Sequence, residues 1–204
     1  QDAVAIMKAV DARPEPRTSS SRTTLQVKDR LGHERVRVVR STSMKFAEGT
    51  KQLMLFERPA DVRNTGLLSI DYDDGNKMDD QWLFLPALQR VKRISSSNKS
   101  GPFMGSEFAF EDLSSQEVDK YTHKFLRDEK LDGQDCFLSE RVPVYKNSGY
   151  TKQVVWIDTA EYRPMKIEYY DRKKSLLKTL VFSEYRQYKG KFLKSMVVLH
   201  LSLF

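Results

Sequence analysis

The chain has 204 residues, with 35 basic and 28 acidic side chains, a formal net charge of +7 and an aromatic content of 11%. This length fits one large domain with its own core, and the aromatic content excludes an intrinsically disordered chain. No apolar run approaches the roughly 20 residues that span a bilayer, so we expect a soluble protein. The basic balance favours anionic partners such as lipid head groups or acidic protein surfaces, although it also fits an ordinary solvated surface.

The N-terminal segment is predicted to form an amphipathic helix. Its apolar residues recur at the spacing of one helix face, and they are Ala3, Ile6, Met7 and Val10. Asp2 stands where a carboxylate stabilises a helix N-terminus, and Pro14 follows where the helix has to end.

From Thr24 onward, short strand patterns alternate with turn signals. Val36 and Val38 alternate with arginines, as is typical of a strand with one face in water. The predicted turns contain Gly32, Asp74-Gly75, Asp132-Gly133 and Lys189-Gly190. No βαβ crossover is visible, so the sequence predicts an antiparallel sheet of about 10–11 strands, and a sheet of that size has to curl.

The stretch 81–113 combines strand patterns with a glycine-bounded loop. Residues 82–85 are apolar on both strand faces, and Gly101 and Gly105 flank Phe103 and Met104. Apolar side chains on a hinged, exposed loop are typical of a segment that closes over an apolar ligand. Phe108 and Phe110 follow two residues apart, on one side of an extended chain.

A short helix is predicted after this stretch. Ser114 and Glu117 have the spacing of a capping box. The adjacent Glu111 and Asp112 point to opposite sides of an extended chain, so they do not converge for acid–base chemistry, and we expect them to cap the helix entry.

Residue patterns that carry catalysis or bind metals are missing from the sequence. The histidines are scattered at positions 33, 123 and 200, and Cys136 is the single cysteine. Nucleophile-elbow, P-loop and dinucleotide-binding motifs are also absent. We therefore expect no enzymatic activity, no metal site, no cofactor and no internal disulfide.

Nucleic-acid binding is not expected either. Arg90 and Lys92 share a strand face with Ile94, whereas Arg93 shares the other face with Val91. The cations therefore form no continuous basic stripe.

Two segments carry a family resemblance. Residues 82–94 (WLFLPALQRVKRI) and 101–113 (GPFMGSEFAFEDL) resemble the signature of outer-membrane lipoprotein-sorting proteins with a LolA-like fold. Further agreement lies at residues 59–62, 156–158, 164–166 and 169–171. The resemblance runs from about the first helix to the end of the chain.

The resemblance implies one α+β domain over residues 1–204. Its expected fold is a strongly curved antiparallel sheet, an open half-barrel, with helices plugging the concave face. The implied function is that of a monomeric periplasmic carrier, which binds lipoprotein acyl chains or a related lipid for transfer toward the outer membrane. An inner-membrane transporter of the resistance-nodulation-division type is an implied partner. The alternative is a lipid-sensing or accessory interaction module for such a transporter on the same fold.

The apolar residues of 53–56 and 82–85 admit two interpretations. They either fill an ordinary core or line a cavity, and the family resemblance favours the cavity. The predicted lining residues are Met54, Phe56, Leu68, Ile70, Trp82, Phe84, Phe108 and Phe110, with Phe103 and Met104 as the gate. Both faces of 53–56 and 82–85 are apolar, so the pattern does not decide which face is inside. Arg90 and Arg93 are predicted to meet an anionic head group or an acidic partner at the rim.

Two further expectations concern the two ends of the chain. Gln1 is not an initiator residue, so we expect that an upstream segment was removed. The sequence stops at Phe204 within a strand-like run, where members of the family continue, so we expect a trimmed chain or a different last edge.

Overall fold

The computed structural model describes residues 1–28, 33–74, 77–188, 190 and 192–201. Within these residues the chain forms one α-helix and twelve strands. They are α1 (Ala3–Asp11), β1 (Thr18–Lys28), β2 (Glu34–Phe46), β3 (Gly49–Arg58), β4 (Gly66–Tyr72), β5 (Asp80–Leu85), β6 (Arg90–Arg93), β7 (Tyr121–Leu131), β8 (Gln134–Pro143), β9 (Tyr150–Asp158), β10 (Pro164–Asp171), β11 (Leu176–Tyr188) and β12 (Phe192–Leu201).

The chain divides into two compact units. The middle unit, Pro16–Ser115, contains a first sheet in the order β1 to β6. The terminal unit, Gln1–Glu15 with Gln116–Phe204, contains α1 and a second sheet in the order β12 to β7. All neighbouring strands pair antiparallel, which confirms the predicted pairing, and neither sheet closes into a barrel. The expectation of a single sheet of about 10–11 strands is wrong, because the described strands form two sheets of six. The single-domain organisation expected from the length stays a prediction.

The N-terminal helix is confirmed. The Asp2 side chain accepts a hydrogen bond from the Val4 N–H at 2.9 Å, which satisfies one of the free donors of the first turn. Ala3, Ile6 and Met7 are buried, and the helix packs against β7. The helix thus ends before Pro14 and buries the face that its spacing predicts.

The core of the middle unit lies on one face of the first sheet. Met54, Leu67 and Leu83 are directly opposed on β3, β4 and β5, so their side chains point the same way. Val39 and Phe56 form a second opposed pair on this face. We call it the core face, because these side chains are buried or pack against the buried cluster.

The opposite face of the first sheet, which we call the back face, is also apolar. Leu53, Leu68 and Trp82 are directly opposed there. Leu53 is 40% exposed and Val91, on edge strand β6, is 65% exposed. The first sheet therefore presents apolar side chains on both faces, as the runs 53–56 and 82–85 predict.

The segment that follows β6 covers the core face. Phe103 is 1% exposed, with its ring centroid 5.8 Å from that of Phe56 and 5.5 Å from that of Phe110. The buried Gln81 side chain donates to the Phe110 carbonyl at 3.0 Å, which ties the segment to β5. The segment thus closes an apolar core.

The short helix predicted from the capping box is wrong in position. A 3-10 turn forms earlier, at Phe110–Leu113, because the Asp112 carboxylate accepts the Ala109 N–H at 2.6 Å. This contact shows capping by Asp112 of the acidic pair, at this earlier turn, and the turn ends at Leu113. Glu117 then precedes a separate 3-10 turn, Val118–Lys120.

The second sheet buries apolar side chains on both faces, and one face also carries a buried polar row beside Val155, Ile167 and Leu180. Its apolar cluster consists of Cys136, Leu138, Val154 and Trp156. On the other face, cross-strand register aligns four buried residues over β8 to β11. This polar row is Arg141, Gln153, Tyr169 and Lys178.

The predicted turns are only partly covered by the described residues. Asp132 and Gly133 have positive φ angles of 49° and 84° between β7 and β8, which confirms that hairpin turn. Gly32, Gly75, Lys189 and the chain end after Leu201 lie outside the described residues.

Candidate functional site

The middle unit contains a cavity of about 550 Å³, open to solvent on one side, between the edge of the first sheet and the segment 97–105. Its volume lies within the roughly 300–1,000 Å³ range of ligand-binding pockets. The lining residues are Leu83, Lys92, Ile94, Ser97, Asn98, Ser100, Gly101, Pro102, Met104, Gly105 and Phe110.

One wall of this cavity comes from strands β5 and β6. Leu83 and Lys92 are directly opposed, so both side chains lie on the core face. The Ile94 N–H donates to the Gln81 carbonyl at 2.8 Å, which keeps Ile94 beside β5 after β6 ends. β6 is the edge strand of the first sheet, so the cavity lies where the sheet stops.

The opposite wall is a turn-rich segment with specific anchors. Met104 and Gly105 have positive φ angles of 52° and 66°, and Arg37 donates a hydrogen bond to the Met104 carbonyl. The Phe103 N–H donates to the Phe108 carbonyl at 2.6 Å. The predicted exposure of Phe103 is wrong, because this ring belongs to the core, whereas Met104 lines the cavity.

Six of the predicted lining residues lie together on the core side. Met104 and Phe110 line the cavity itself, and the other four belong to the adjoining core or pack against it. These four are Met54, Phe56, Phe103 and Phe108.

The other four predicted residues lie on the back face, away from the core side. They are Leu68, Ile70, Trp82 and Phe84. Successive side chains of a strand point to opposite faces. Trp82 and Phe84 therefore share the back face, and Leu83 lies on the core face. The structure therefore divides the predicted set between the two faces of the first sheet.

Sequence reasoning missed Leu83, Lys92 and Ile94 as lining residues. Leu83 belongs to a run that is apolar on both faces, so alternation gave no signal for its direction. Lys92 and Ile94 share a strand face, and that pattern does indicate a wall with a cation at one end and an apolar side chain at the other.

Lys92 supplies the cationic group of the cavity lining, and none of the described lining residues is acidic. Among the residues that the structure describes, Lys92 forms no ion pair. Arg90 is exposed and does not line the cavity, and Arg93 lies on the back face, 2.5 Å from Asp80. Of the basic residues near this edge, Lys92 is therefore the one placed at the cavity.

The terminal unit buries the charged and polar side chains of the polar row. The Arg141 Nε donates to Gln153 Oε1 at 2.7 Å, and its guanidinium lies 4.6 Å from the centroid of the Tyr121 ring. Lys178 is 2% exposed, and its Nζ lies 5.1 Å from the ring centroids of Tyr150 and Tyr169. Ring faces stabilise such cations electrostatically, so the polar row is compensated internally.

The described residues lack two further features. They contain no cluster of three or more histidine, cysteine or acidic side chains that could bind a metal ion. They also contain no helix with the length and apolarity needed to cross a membrane.

Comparison with protein families and solved structures gives a consistent result. A family model described as "Uncharacterized protein" matches residues 48–200. A crystal structure of an outer membrane lipoprotein-sorting protein domain from Vibrio parahaemolyticus is 46% identical, with a TM-score of 0.90 over 98% of this chain and 90% of that chain. None of the curated proteins matches the chain.

Two further solved structures are similar. A DUF1329 family protein from Desulfovibrio piger is 31% identical, with a TM-score of 0.85 over 98% of this chain and 89% of that chain. A LolA superfamily protein from Nitrosomonas europaea has a TM-score of 0.78 at 20% identity, over 100% of this chain and 87% of that chain, and shows the fold alone. The chain therefore belongs to the family of outer membrane lipoprotein-sorting protein domains and has a LolA-like fold, as its sequence motifs predict.

Proposed function

We propose that the protein is a periplasmic carrier that binds lipoprotein acyl chains, or the chain of a related lipid, in the cavity of the middle unit. The observation that carries this proposal is a cavity of about 550 Å³ whose wall includes Leu83, Ile94 and Phe110. The similarity to a lipoprotein-sorting domain at 46% identity supports the same function.

Binding in such a cavity needs no covalent step. Each methylene that leaves water for an apolar site contributes about 0.8 kcal/mol, so several buried methylenes give useful affinity. Release then requires a membrane or partner protein that offers the chain a better apolar site. The segment 97–105 is the movable gate in this proposal, because it forms the cavity wall opposite the sheet.

The proposal includes the finer architecture that the resemblance implies. Residues 1–204 form one monomeric carrier domain, a curved half-barrel with helical segments on its concave face. The acceptor lies toward the outer membrane, and an inner-membrane transporter of the resistance-nodulation-division type is the donor-side partner.

Occluding the cavity tests the function most simply. Ser97 is exposed and lines the cavity, so Ser97→Trp places a bulky ring at the opening. We expect this variant to lose at least tenfold in affinity for a fluorescent fatty acid. Leu88→Trp is the matched control, because Leu88 is exposed in the same unit but does not line the cavity. Equal affinity of both variants and the parent protein would contradict the proposal.

A second pair of variants distinguishes the two predicted surfaces. Phe108 packs against the core next to the cavity, whereas Trp82 lies on the back face. Phe108→Ala should weaken fatty-acid binding about threefold or more, and Trp82→Ala should leave it unchanged. The reverse result would place the ligand on the back face.

The exposed back face favours a second candidate function, an accessory module that docks on an inner-membrane transporter and senses lipid. Large apolar side chains such as Leu53 and Val91 are exposed there, as is common at protein interaction surfaces. A stable stoichiometric complex with the transporter, without lipid transfer between vesicles, would favour this candidate. Transfer between vesicles in the absence of the transporter favours the carrier.

A further inference from the structure

The position of Lys92 gives the cavity a defined polarity. Lys92 is exposed, whereas Ile94, two residues later on the same wall, is buried. Leu83, directly opposite Lys92, is buried as well. The wall thus leads from a cation at the opening to apolar side chains inside.

The other polar lining residues at this opening supply hydrogen-bond donors. Ser97 and Ser100 carry hydroxyl groups, and Asn98 carries an amide NH2 group. An anionic oxygen accepts hydrogen bonds from all of these groups and pairs with an ammonium ion. A cationic head group would find no carboxylate among the lining residues that the structure describes.

Neighbouring cations are already engaged in other contacts. The Lys99 Nζ donates to the Asp79 carbonyl at 2.8 Å, and Arg93 pairs with Asp80 on the back face. Arg37 holds the Met104 carbonyl. These contacts leave Lys92 as the cavity-lining cation available to a ligand.

We propose that the cavity selects single-chain amphiphiles with an anionic head group, a carboxylate or a phosphate, which Lys92 binds while the chain lies against Leu83, Ile94 and Phe110. This inference rests on the proposed carrier function and adds the chemical class of the head group. An exposed ion pair is weak, so the preference over a neutral head group is roughly two- to fivefold in Kd and declines as salt rises.

The test compares amphiphiles that share one chain and differ in the head group. Laurate, dodecyl phosphate, dodecanol and dodecyltrimethylammonium are titrated below their micelle concentrations into the parent protein, Lys92→Gln and Arg90→Gln. Arg90 is the matched control, because it lies on the same exposed strand without lining the cavity. Inorganic phosphate is included to separate binding of a head group from binding of a free anion.

We expect laurate and dodecyl phosphate to bind more tightly than dodecanol in the parent protein and in Arg90→Gln. Lys92→Gln should remove this preference and keep the affinity for dodecanol. Equal binding of laurate and dodecanol by the parent protein, or a preference that persists in Lys92→Gln, would overturn the inference and leave the carrier function intact. Binding of inorganic phosphate as tight as that of dodecyl phosphate would overturn it too. Failure of every amphiphile to bind would reject both proposals.

Discussion

The two sheets differ in what they bury beside their apolar side chains. The core face of the first sheet is covered by apolar side chains of the segment that follows β6, and a cavity remains beside them. The buried polar row of the second sheet instead has its own partners, such as the Arg141–Gln153 hydrogen bond. An apolar wall beside an unfilled cavity can bind an apolar ligand. The polar row would have to lose its hydrogen bonds to bind such a ligand.

The other faces of the two sheets differ as well. The back face of the first sheet exposes leucine and valine side chains. On the second sheet, Lys152 pairs with Glu140 at 2.8 Å, and Lys166 pairs with Glu168 at 2.7 Å beside the apolar cluster. The back face of the first sheet also carries ion pairs, such as Arg93–Asp80 and Arg40–Glu57, yet Leu53 and Val91 stay 40% and 65% exposed there.

The largest expected effect comes from the core face of the first sheet. Phe56 is 1% exposed and contacts the Phe103 ring, so Phe56→Ala should lower the free energy of unfolding by about 3–5 kcal/mol. Leu53→Ala, on the back face of the same strand, should cost less, about 1 kcal/mol, since Leu53 is 40% exposed. Urea unfolding measures both values. Similar costs would show that both faces are equally buried in solution.

The polar row of the second sheet should contribute the next largest effect. Arg141→Met removes the donor to Gln153 Oε1 and one donor to Gln116 Oε1, so we expect a loss of about 2–3 kcal/mol. Lys152→Met breaks an exposed ion pair and should cost less than about 1 kcal/mol. Fatty-acid affinity should be unchanged in both folded variants. A clear loss of affinity in Arg141→Met would assign ligand binding to the terminal unit.

A smaller effect is expected at the gate of the cavity. Arg37 donates to the Met104 carbonyl, so Arg37→Met should destabilise the segment around Met104 by about 1 kcal/mol. We expect fatty acids to bind and dissociate several times faster in this variant, as stopped-flow fluorescence can measure. Unchanged rates would mean that the segment does not control entry.

The smallest effect concerns pH and the terminal unit. Burial lowers the pKa of His123 below its ordinary value of 6.5; the hydrogen bond with the Val118 carbonyl opposes this shift, and the nearby Arg141 charge adds to it. The folded state therefore takes up the proton at lower pH than the unfolded chain. The stability that the neutral ring supports is present above pH 6.5 and is lost as the pH falls toward the folded pKa.

Urea midpoints at about pH 7.5 and about pH 5.5 measure this contribution. The parent protein should lose more stability over this interval than His123→Gln, which has no group titrating at that position. Equal losses of stability in the parent protein and in His123→Gln would contradict burial of a neutral His123.

Local sequence signals predicted the secondary-structure elements well, because each signal is contained in a few neighbouring residues. Asp2 and the spacing of Ile6 and Met7 suffice to define α1. The hairpin at Asp132-Gly133 likewise depends on the conformation of two residues.

The cavity was only partly predictable. Residues 82–85 are apolar on both faces, so only pairing with β4 and the cover over the core face place Leu83 inside and Trp82 outside. The choice of Lys92 over Arg90 depends on which side chain reaches the segment 97–105. The polar row brings Arg141 and Lys178 onto one face across four strands, and no local pattern contains that register.

Methyl NMR with a spin-labelled fatty acid tests the central claim directly, because isoleucines mark each surface. Ile94 lines the cavity, Ile70 lies on the back face, and Ile157 and Ile167 lie in the second sheet of the terminal unit. The account predicts that the label broadens the Ile94 methyl signals strongly and those of the other three weakly. Strong broadening at Ile167 with an unaffected Ile94 would contradict it.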